Sequence, residues 1–411
     1  METHLADWLK GTTDGVEAEN ILRKCVHCGF CTATCPTYQL LGDELDGPRG
    51  RIYLIKQVLE GVAPTVATQT HLDRCLTCRN CESTCPSGVQ YGRLVDIGRK
   101  LVDEKVERPF AQKLTRTALR EGLTARWLFE PAMKLGKTVR PLLPESLKAK
   151  VPENRDRGSW PTQQHARKVL MLNGCVQPAM MPTIDYATAR VLDLVGVQAI
   201  IEQRSGCCGA IRHHLDDQHG SHADIKRNID AWWPHIEQGI EAIVVNASGC
   251  GAMVSEYGYL LRDNANYKAK AAKVSELFKD IVTYIAPMSA QLQTLLAQKK
   301  TSTTAAYHPP CTQQHGLKIK GEVEKLLIQL GIDLKPVADS HLCCGSAGTY
   351  SVTQPVLAKQ LRDNKLSNLQ AGQPEVILSA NIGCLTHLQS GTPTPVRHWI
   401  EWLDERLSAN A

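Results

Sequence analysis

Sixteen cysteines stand in this chain of 411 residues, and eight of them form two copies of one motif near the N-terminus. The copies, CVHCGFCTATCP and CLTCRNCESTCP, both read Cys-x2-Cys-x2-Cys-x3-Cys-Pro. Bacterial proteins that hold a pair of 4Fe-4S clusters use this spacing of cysteine thiolates. The motif therefore predicts electron transfer through two iron–sulfur clusters.

The spacing also predicts which cysteines share a cluster. Three cysteines at intervals of three residues wrap one corner of a cubane, and the fourth, just before proline, reaches the other cluster. On this rule the first cluster takes Cys25, Cys28, Cys31 and Cys85, and the second takes Cys75, Cys78, Cys81 and Cys35. The crossed fourth ligands would hold the two clusters close enough to exchange electrons.

Zinc and disulfide bonds are the alternatives for these eight cysteines. Structural zinc takes four ligands from paired Cys-x2-Cys units, whereas here three cysteines crowd into seven residues and the pattern occurs twice. Disulfides fit poorly with the reducing cytosolic setting that we expect, and an S–S bond across such a tight loop would be strained. Iron–sulfur ligation is the preferred interpretation.

The other eight cysteines form a second repeat in the later part of the chain. One copy contains Cys175, Cys207, Cys208 and Cys250, and the other contains Cys311, Cys343, Cys344 and Cys384. In both copies 31 residues separate the first cysteine from the cysteine pair, and 41 or 39 residues separate the pair from the last cysteine. Both pairs are followed by glycine, so we name each copy a CCG module. Duplicated modules are the simplest explanation.

Each CCG module alternates buried-strand and helix patterns, as parallel α/β units do. The cysteines fall where strands end and loops begin, which is where open α/β sheets place their ligands. A handful of buried free cysteines is the alternative, because such cysteines are common in protein cores. The repeated array favours metal or redox chemistry and leaves open whether one, both or neither module binds a further iron–sulfur cluster.

Composition and charge narrow the binding partners and the cellular location that we expect. A net charge of +5 is too mild to predict binding to nucleic acid. Thirteen Lys or Arg against six Asp or Glu stand between positions 99 and 150, where LTARWLFEPAMKLGKTVRPLLPESLK mixes apolar and basic residues. This stretch is suited to an anionic membrane surface or to a partner, although an ordinary amphipathic helix is the preferred interpretation. Without a signal peptide or spanning segment, we expect a cytoplasmic protein, soluble or peripherally attached.

The fold class that these patterns predict is mixed. Residues 1–100 should form an α-helical ferredoxin domain with two clusters, because 39 residues between Cys35 and Cys75 leave room for helices. Residues 101–164 should form a basic helical connector and linker. Two duplicated α/β modules should follow, at 165–298 and 299–411.

The two ferredoxin motifs followed by two CCG modules resemble a family of iron–sulfur subunits that includes heterodisulfide reductase subunits, the anaerobic glycerol-3-phosphate dehydrogenase C subunit and lactate-utilisation proteins. Within that group, segments such as CVHCGFCTATCPTYQLLGDELDGPRG and DSHLCCGSAGTY are similar to the glycolate oxidase (glycolate dehydrogenase) iron–sulfur subunit family, and the resemblance covers nearly the whole chain.

This resemblance implies an electron-transfer subunit of an oxidoreductase complex. A partner subunit would oxidise glycolate to glyoxylate at FAD, and this chain would pass the electrons towards a quinone or another acceptor, possessing no catalytic residue for substrate oxidation itself. No Gly-x-Gly-x-x-Gly fingerprint for a dinucleotide is present. One alternative is an iron–sulfur subunit of a related lactate, glycerol-3-phosphate or heterodisulfide complex, with chemistry at the CCG modules. The other is a metal-stabilised scaffold subunit.

The chain departs from one version of the family pattern at the end of each CCG module. Relatives with a noncubane cluster close the module with Cys-x2-Cys, whereas this chain has Met253 after Cys250 and His387 after Cys384. Methionine is a poor replacement, but His387 or His308 would suit a metal in the second module. Five-thiolate ligation is therefore in doubt, and the second module is the better candidate for a cluster.

Overall fold

A computed structural model describes residues 1–144, 148, 150–296 and 303–408. Its contacts divide the chain into two compact units. The N-terminal unit contains residues 1–116 together with 341–365, and the α/β unit contains residues 117–340 and 366–411. The segment 341–365 carries the cysteine pair of the second CCG module, so this pair belongs to the same unit as the ferredoxin motifs.

The N-terminal unit is helical. Its α-helices span Thr13–Lys24, Phe30–Ala33, Pro36–Leu41, Pro48–Leu59, Val66–Asp73, Asn80–Thr84 and Tyr91–Lys105, with a 3-10 turn at Glu44–Asp46, and Tyr350–Thr353 is a further helical turn in the later segment. The expected helices between the two motifs are therefore present. Buried apolar side chains from the long helices, such as Leu22, Ile55 and Leu94, form one core.

Local sequence explains where these helices begin. Pro48 occupies the first turn of its helix, where a missing N–H costs nothing. Thr65 and Thr68 form a reciprocal capping box at the start of Val66–Asp73. Gly98 packs against Ile55, and a Cβ there would approach the isoleucine side chain to 2.6 Å. The glycine thus permits the close approach of the two helices that frame the cysteine loops.

The α/β unit contains two four-stranded parallel sheets. The strands of the first are β1 Arg167–Met171, β2 Val197–Ile201, β3 Ala242–Val245 and β4 Phe278–Asp280, in the order β2-β1-β3-β4. The strands of the second are β5 Thr304–His308, β6 Asp333–Lys335, β7 Val376–Ser379 and β8 Val396–His398, in the order β6-β5-β7-β8. The identical strand order confirms the duplicated α/β architecture.

Helices connect these strands. In the first module they span Val176–Met180, Thr183–Leu194, Ala210–His214, Gln218–Glu237, Ser248–Ser255, Tyr257–Leu260, Lys268–Leu277, Ile281–Ile285 and Ser289–Leu296, with a 3-10 turn at Ala286–Met288. In the second they span Glu322–Gln329, Pro355–Gln370, Ile382–Gln389 and Trp399–Ser408, with a π-helical turn at Thr312–Gly316. Register pairs Val169 with Ala242, and Ala305 with Val376, at the two central strands.

The basic connector forms two helices, Phe110–Thr124 and Arg126–Thr138, and a 3-10 turn at Arg140–Leu142. Residues 151–165 then run without helix or strand. Residues 145–147 of the amphipathic stretch and the expected module boundary between positions 298 and 299 lie outside the described residues. In the described part of the chain, none of the helices has the length and apolar character needed to cross a bilayer.

Candidate iron–sulfur centres

The two ferredoxin motifs adopt one backbone conformation. His27 and Thr77, each just before the second cysteine, have φ angles of 56° and 51°, and Gly29 and Arg79, each just after it, have φ angles of 84° and 60°. Left-handed backbone is costly for residues other than glycine and persists only where the surroundings impose it. Its recurrence at equivalent positions indicates that both loops wrap an object of the same shape.

The first cysteine site, Cys25, Cys28, Cys31 and Cys85, surrounds a cavity. All four residues line it, together with Cys81 of the other set and with Arg49 and Tyr91. Its empty space amounts to about 450 Å³ including the open mouth. Burial raises the pKa of the Cys31 thiol to about 11, and negative charge on Cys25, Cys28 and Cys85 raises it further. The structure thus brings together the four residues that the crossed arrangement predicts for one cluster.

The second cysteine site, Cys75, Cys78, Cys81 and Cys35, is more deeply buried. Burial raises the pKa of Cys81, with added repulsion from Cys78, Cys75 and Cys35. Burial acts in the same direction on Cys75, but the positive charges of Arg51 and Arg99 outweigh it and leave the Cys75 pKa below its ordinary value. The structure therefore brings the four cysteines of the predicted second set together as well, and the positive charges of Arg51 and Arg99 lie near Cys75.

A buried network of charges supports the second site. The guanidinium of Arg51, which is 1% exposed, donates to the carbonyl of His71 at 2.7 Å and lies 3.4 Å from the Asp46 carboxylate. Arg74 and His71 approach the same carboxylate at 2.8 and 3.1 Å. Arg99 donates to the carbonyls of Leu72 and Cys75. Arg51 and Arg99 are therefore held by carbonyl groups at the end of the helix Val66–Asp73 and at the start of the cysteine loop.

The properties of these thiols suit cluster ligands better than they suit uncoordinated cysteines. All sixteen cysteines lie in the described part of the chain, and none of them forms a disulfide bond. Crowded, buried thiols are hard to ionise, as the raised pKa values of Cys31 and Cys81 indicate. A metal centre reverses this preference, because coordination deprotonates a thiol outright. The repeated loop conformation and the lined cavity provide a site of matching shape.

The first CCG module gathers its four cysteines at the carboxyl ends of neighbouring strands. Cys175 follows β1, and Cys250 lies in the helix Ser248–Ser255 that follows β3. The Cys175 thiol donates to the sulfur of Cys207 at 3.5 Å. Hydrogen bonds from Cys175 and Cys208 lower the pKa of Cys207, and Cys208 in turn contacts Cys250. The predicted array is therefore one cluster of thiols.

Backbone conformation and close packing explain the glycine that follows each cysteine pair. Gly209 and Gly345 have φ angles of 93° and 87°, and each backbone N–H donates to the sulfur two residues earlier at 3.4 Å. A Cβ would lie 3.1 Å from the carbonyl oxygen of Ser221 at the first position and 2.5 Å from that of Ala358 at the second. Both the left-handed backbone and the close approach exclude a side chain.

The second CCG module differs from the first in its ligand atoms. Cys311 follows β5, and Cys384 lies in the helix Ile382–Gln389 that follows β7. His308, at the end of β5 and 1% exposed, places a ring nitrogen within 4.8 Å of the Cys384 sulfur. Leu172 is the equivalent residue of the first module. His387 lies on the helix of Cys384 and is half-buried.

The first CCG module also opens onto a basic cavity within the α/β unit. Its lining includes Cys207 and five cationic side chains against two acidic ones, and its empty space amounts to about 1290 Å³ including the open mouth. The cations are Arg126, Lys134, Arg204, Arg212 and Arg227. The guanidinium of Arg227 would lie 2.9 Å from a Cβ at Gly206 and so lies directly over the cysteine loop.

Sequence reasoning missed the charged support of the second site. Arg51, Arg99 and Asp46 belong to no recognised sequence motif. Asn80 was also missed, although its amide donates to the carbonyls of Thr34 at 3.0 Å and His341 at 3.3 Å. The signal in the sequence is that Arg51 interrupts an otherwise apolar helical stripe.

Comparison with known proteins agrees with this geometry. A 4Fe-4S dicluster domain model matches residues 21–89, and a cysteine-rich domain model named CCG matches residues 169–255 and 305–389. The chain is 53% identical to the glycolate oxidase iron–sulfur subunit of Escherichia coli strain K12 over 408 residues, or 99% of each chain. It is 29% identical to a probable glycolate oxidase iron–sulfur subunit of Bacillus subtilis strain 168, covering 91% of this chain and 89% of the relative.

A more distant relative is lactate utilization protein A of an Exiguobacterium strain, 28% identical over 56% of this chain and 94% of the relative. The fold and the cysteine sites define an iron–sulfur protein of the electron-transfer class, with a dicluster domain and two cysteine-rich modules. The identity of 53% over the full length narrows this class to one family. The chain belongs to the glycolate oxidase iron–sulfur subunit family.

Proposed function

We propose that this chain relays electrons within a glycolate dehydrogenase complex. A partner subunit would carry FAD and oxidise glycolate to glyoxylate, and the electrons would leave through this chain to a quinone or another acceptor. The observation that carries the proposal is the convergence of two four-cysteine sites in one helical unit. The names of the similar proteins supply the substrate.

In this proposal each cluster has its own set of four cysteine ligands. Cys25, Cys28, Cys31 and Cys85 would hold one 4Fe-4S cluster, and Cys75, Cys78, Cys81 and Cys35 the other. Bound clusters supply one-electron transfer at potentials set by hydrogen bonds, charge and burial. The helices Pro48–Leu59 and Tyr91–Lys105 fix the two loops against one core, so the distance between the sites stays constant.

Iron content tests the proposal directly. Protein purified without oxygen should contain roughly eight irons and as many acid-labile sulfides per chain, with an EPR signal after reduction by dithionite. A larger iron content would indicate a further cluster in the CCG modules. Zinc in place of iron, or iron that dithionite does not reduce, would support a metal-stabilised scaffold instead and would contradict the relay.

The second connector helix supports a peripheral membrane position. Trp127 and Leu135 of Arg126–Thr138 are 80% and 65% exposed, and Leu142 just beyond is 85% exposed. Lys134 on the same helix is largely exposed. An interfacial helix combines exposed apolar and aromatic side chains with cations that attract anionic lipids. We infer that this helix lies on the cytoplasmic surface of the inner membrane.

Vesicle sedimentation tests this position. The double substitution Trp127→Ala and Leu135→Ala should strongly reduce binding to vesicles that contain anionic phospholipid, because it removes the inserted side chains. Raised salt should weaken binding of the unchanged protein, since the attraction of surface charges is screened. Ile328→Ala, which removes an apolar residue that is 58% exposed elsewhere in the α/β unit, is the matched control. Equal binding of both variants would contradict the inference.

One observation favours a second candidate function, in which the CCG modules perform chemistry of their own. The basic cavity brings Arg227 and other cations to the loop of Cys207. An acceptor such as a quinone or a disulfide could be reduced there. EPR of the isolated chain discriminates between the candidates, because this function needs a signal beyond those of two cubane clusters.

A further inference from the structure

The two cysteine sites of the N-terminal unit lie in unlike surroundings. Val26 and Leu76 occupy equivalent positions in the two motifs and are 67% and 6% exposed. Phe30 and Asn80 are likewise equivalent, and they are 60% and 3% exposed. The loop of the first site therefore faces solvent, whereas the loop of the second is enclosed.

Positive charge and hydrogen bonds concentrate at the second site. The Cys75 sulfur accepts from the backbone N–H of Thr77 at 3.4 Å and from the hydroxyl of Tyr91 at 3.6 Å. The network contributes three guanidinium groups, those of Arg51, Arg74 and Arg99, against the carboxylate of Asp46. The Glu82 carboxylate near Cys81 is paired with Arg79 at 3.0 Å, so this pair adds no net charge. At the first site the guanidinium lining the cavity belongs to Arg49, which is partly exposed and paired with Glu44 at 2.6 Å.

Two effects oppose each other when an electron is added at the second site. Burial disfavours the extra negative charge, whereas hydrogen bonds to sulfur and nearby cations stabilise it. The cations outnumber the carboxylates of Asp46 and Glu82, and burial strengthens the attraction of the cations because fewer waters screen it. Stabilisation of the reduced state should therefore prevail at this site.

The second site also adjoins the segment that carries Cys343 and Cys344. The amide of Asn80 donates to the carbonyl of His341, and the hydroxyl of Tyr350 donates to the carbonyl of Arg74 at 3.1 Å. Both contacts lie within the N-terminal unit. The cysteine pair thus stands in a segment fastened at both ends to the loop of the second site.

We propose that the second site holds its cluster at the higher reduction potential of the two, so that an electron entering at the exposed first site moves to the second, beside the Cys343–Cys344 segment. In this step the first cluster is oxidised by one electron and the second is reduced by one, without transfer of a proton. The inference rests on the proposed relay function and adds its direction. Arg51, Arg99 and Tyr91 are positioning residues for it.

Redox titration followed by EPR tests the order, using the full chain with both clusters, dithionite and mediators. Arg51→Gln should lower the higher of the two midpoint potentials by about 59 mV, which corresponds to a tenfold change in a one-electron equilibrium. Tyr91→Phe should shift the same couple downwards by less. Arg51→Lys, which keeps the charge, should restore most of the loss. If Arg51 had only a structural role, the lysine and glutamine variants would not differ in this midpoint potential.

Arg49→Gln, near the first site, is the control and should leave the higher couple unchanged. If Tyr91→Phe shifts the lower-potential couple, or shifts neither couple in protein that retains both clusters, the inference is overturned. Because Tyr91→Phe removes one hydroxyl and no core volume, this arm remains informative if Arg51→Gln fails to fold. The potentials need no partner or glycolate, so failure of the substrate assignment would leave this result intact.

Discussion

Replacing Cys78 by serine is expected to abolish the delivery of electrons from glycolate to an external acceptor in the assembled complex. Flavin reduction by glycolate in the partner subunit should survive, because in the proposed complex the substrate is oxidised on that subunit. Serine is a poor ligand for iron that prefers thiolate, so the second site would lose or damage its cluster. The two reactions are measured separately, by flavin bleaching under anaerobic conditions and by reduction of a quinone analogue.

Cys28→Ser should have the same effect through the first site, because the relay needs both clusters. Val26→Ala, in the same loop and largely exposed, is the control and should change neither reaction. Co-purification of the partner shows whether the complex still assembles. Loss of flavin reduction in an assembled complex would contradict a role limited to electron transfer.

Asp46→Ala is expected to destabilise the N-terminal unit by about 3–5 kcal/mol, the usual cost of breaking a buried ion pair by removing one partner. The Asp46 carboxylate is 1% exposed and receives Arg51, Arg74 and His71. Without it, Arg51 would remain buried with its charge uncompensated. The midpoint of urea unfolding, followed by helical circular dichroism and by the loss of cluster absorbance, measures the change.

Glu44→Gln provides the matched comparison. Glu44 lies on the same 3-10 turn as Asp46 and pairs with Arg49, but the side chains of Glu44 and Arg49 are 40% and 38% exposed. An exposed pair of this kind contributes about 0–1 kcal/mol. Equal destabilisation by the two substitutions would show that the Asp46 network has no special importance for stability.

Much of the architecture was predictable because it depends on local spacing. Two identical cysteine motifs, separated by enough residues for helices, predicted a helical dicluster domain, and the alternation of apolar strands with helices predicted two parallel modules. The identical sheet orders and the family matches confirm these expectations. Both depend on patterns that neighbouring residues carry within a few turns or strands.

Other features could not be predicted, because they depend on residues far apart in the chain. The contact of Asn80 with His341 spans 261 positions, and it places the cysteine pair of the second CCG module in the N-terminal unit. The sequence offered His308 as one of two candidate histidines, but its closeness to Cys384 depends on two strand ends that only the sheet brings together. His387, three residues from Cys384 along the chain, was the easier choice from sequence alone.

The sequence by itself determined which atoms are available for electron transfer and how the cysteines are grouped, since loop spacing decides what a short segment can wrap. The tertiary structure alone decided how the two groups differ. Val26 and Leu76 look interchangeable in sequence, yet one faces solvent and the other is enclosed. Charge and burial around a sulfur arise from packing between distant helices, and no local pattern encodes them.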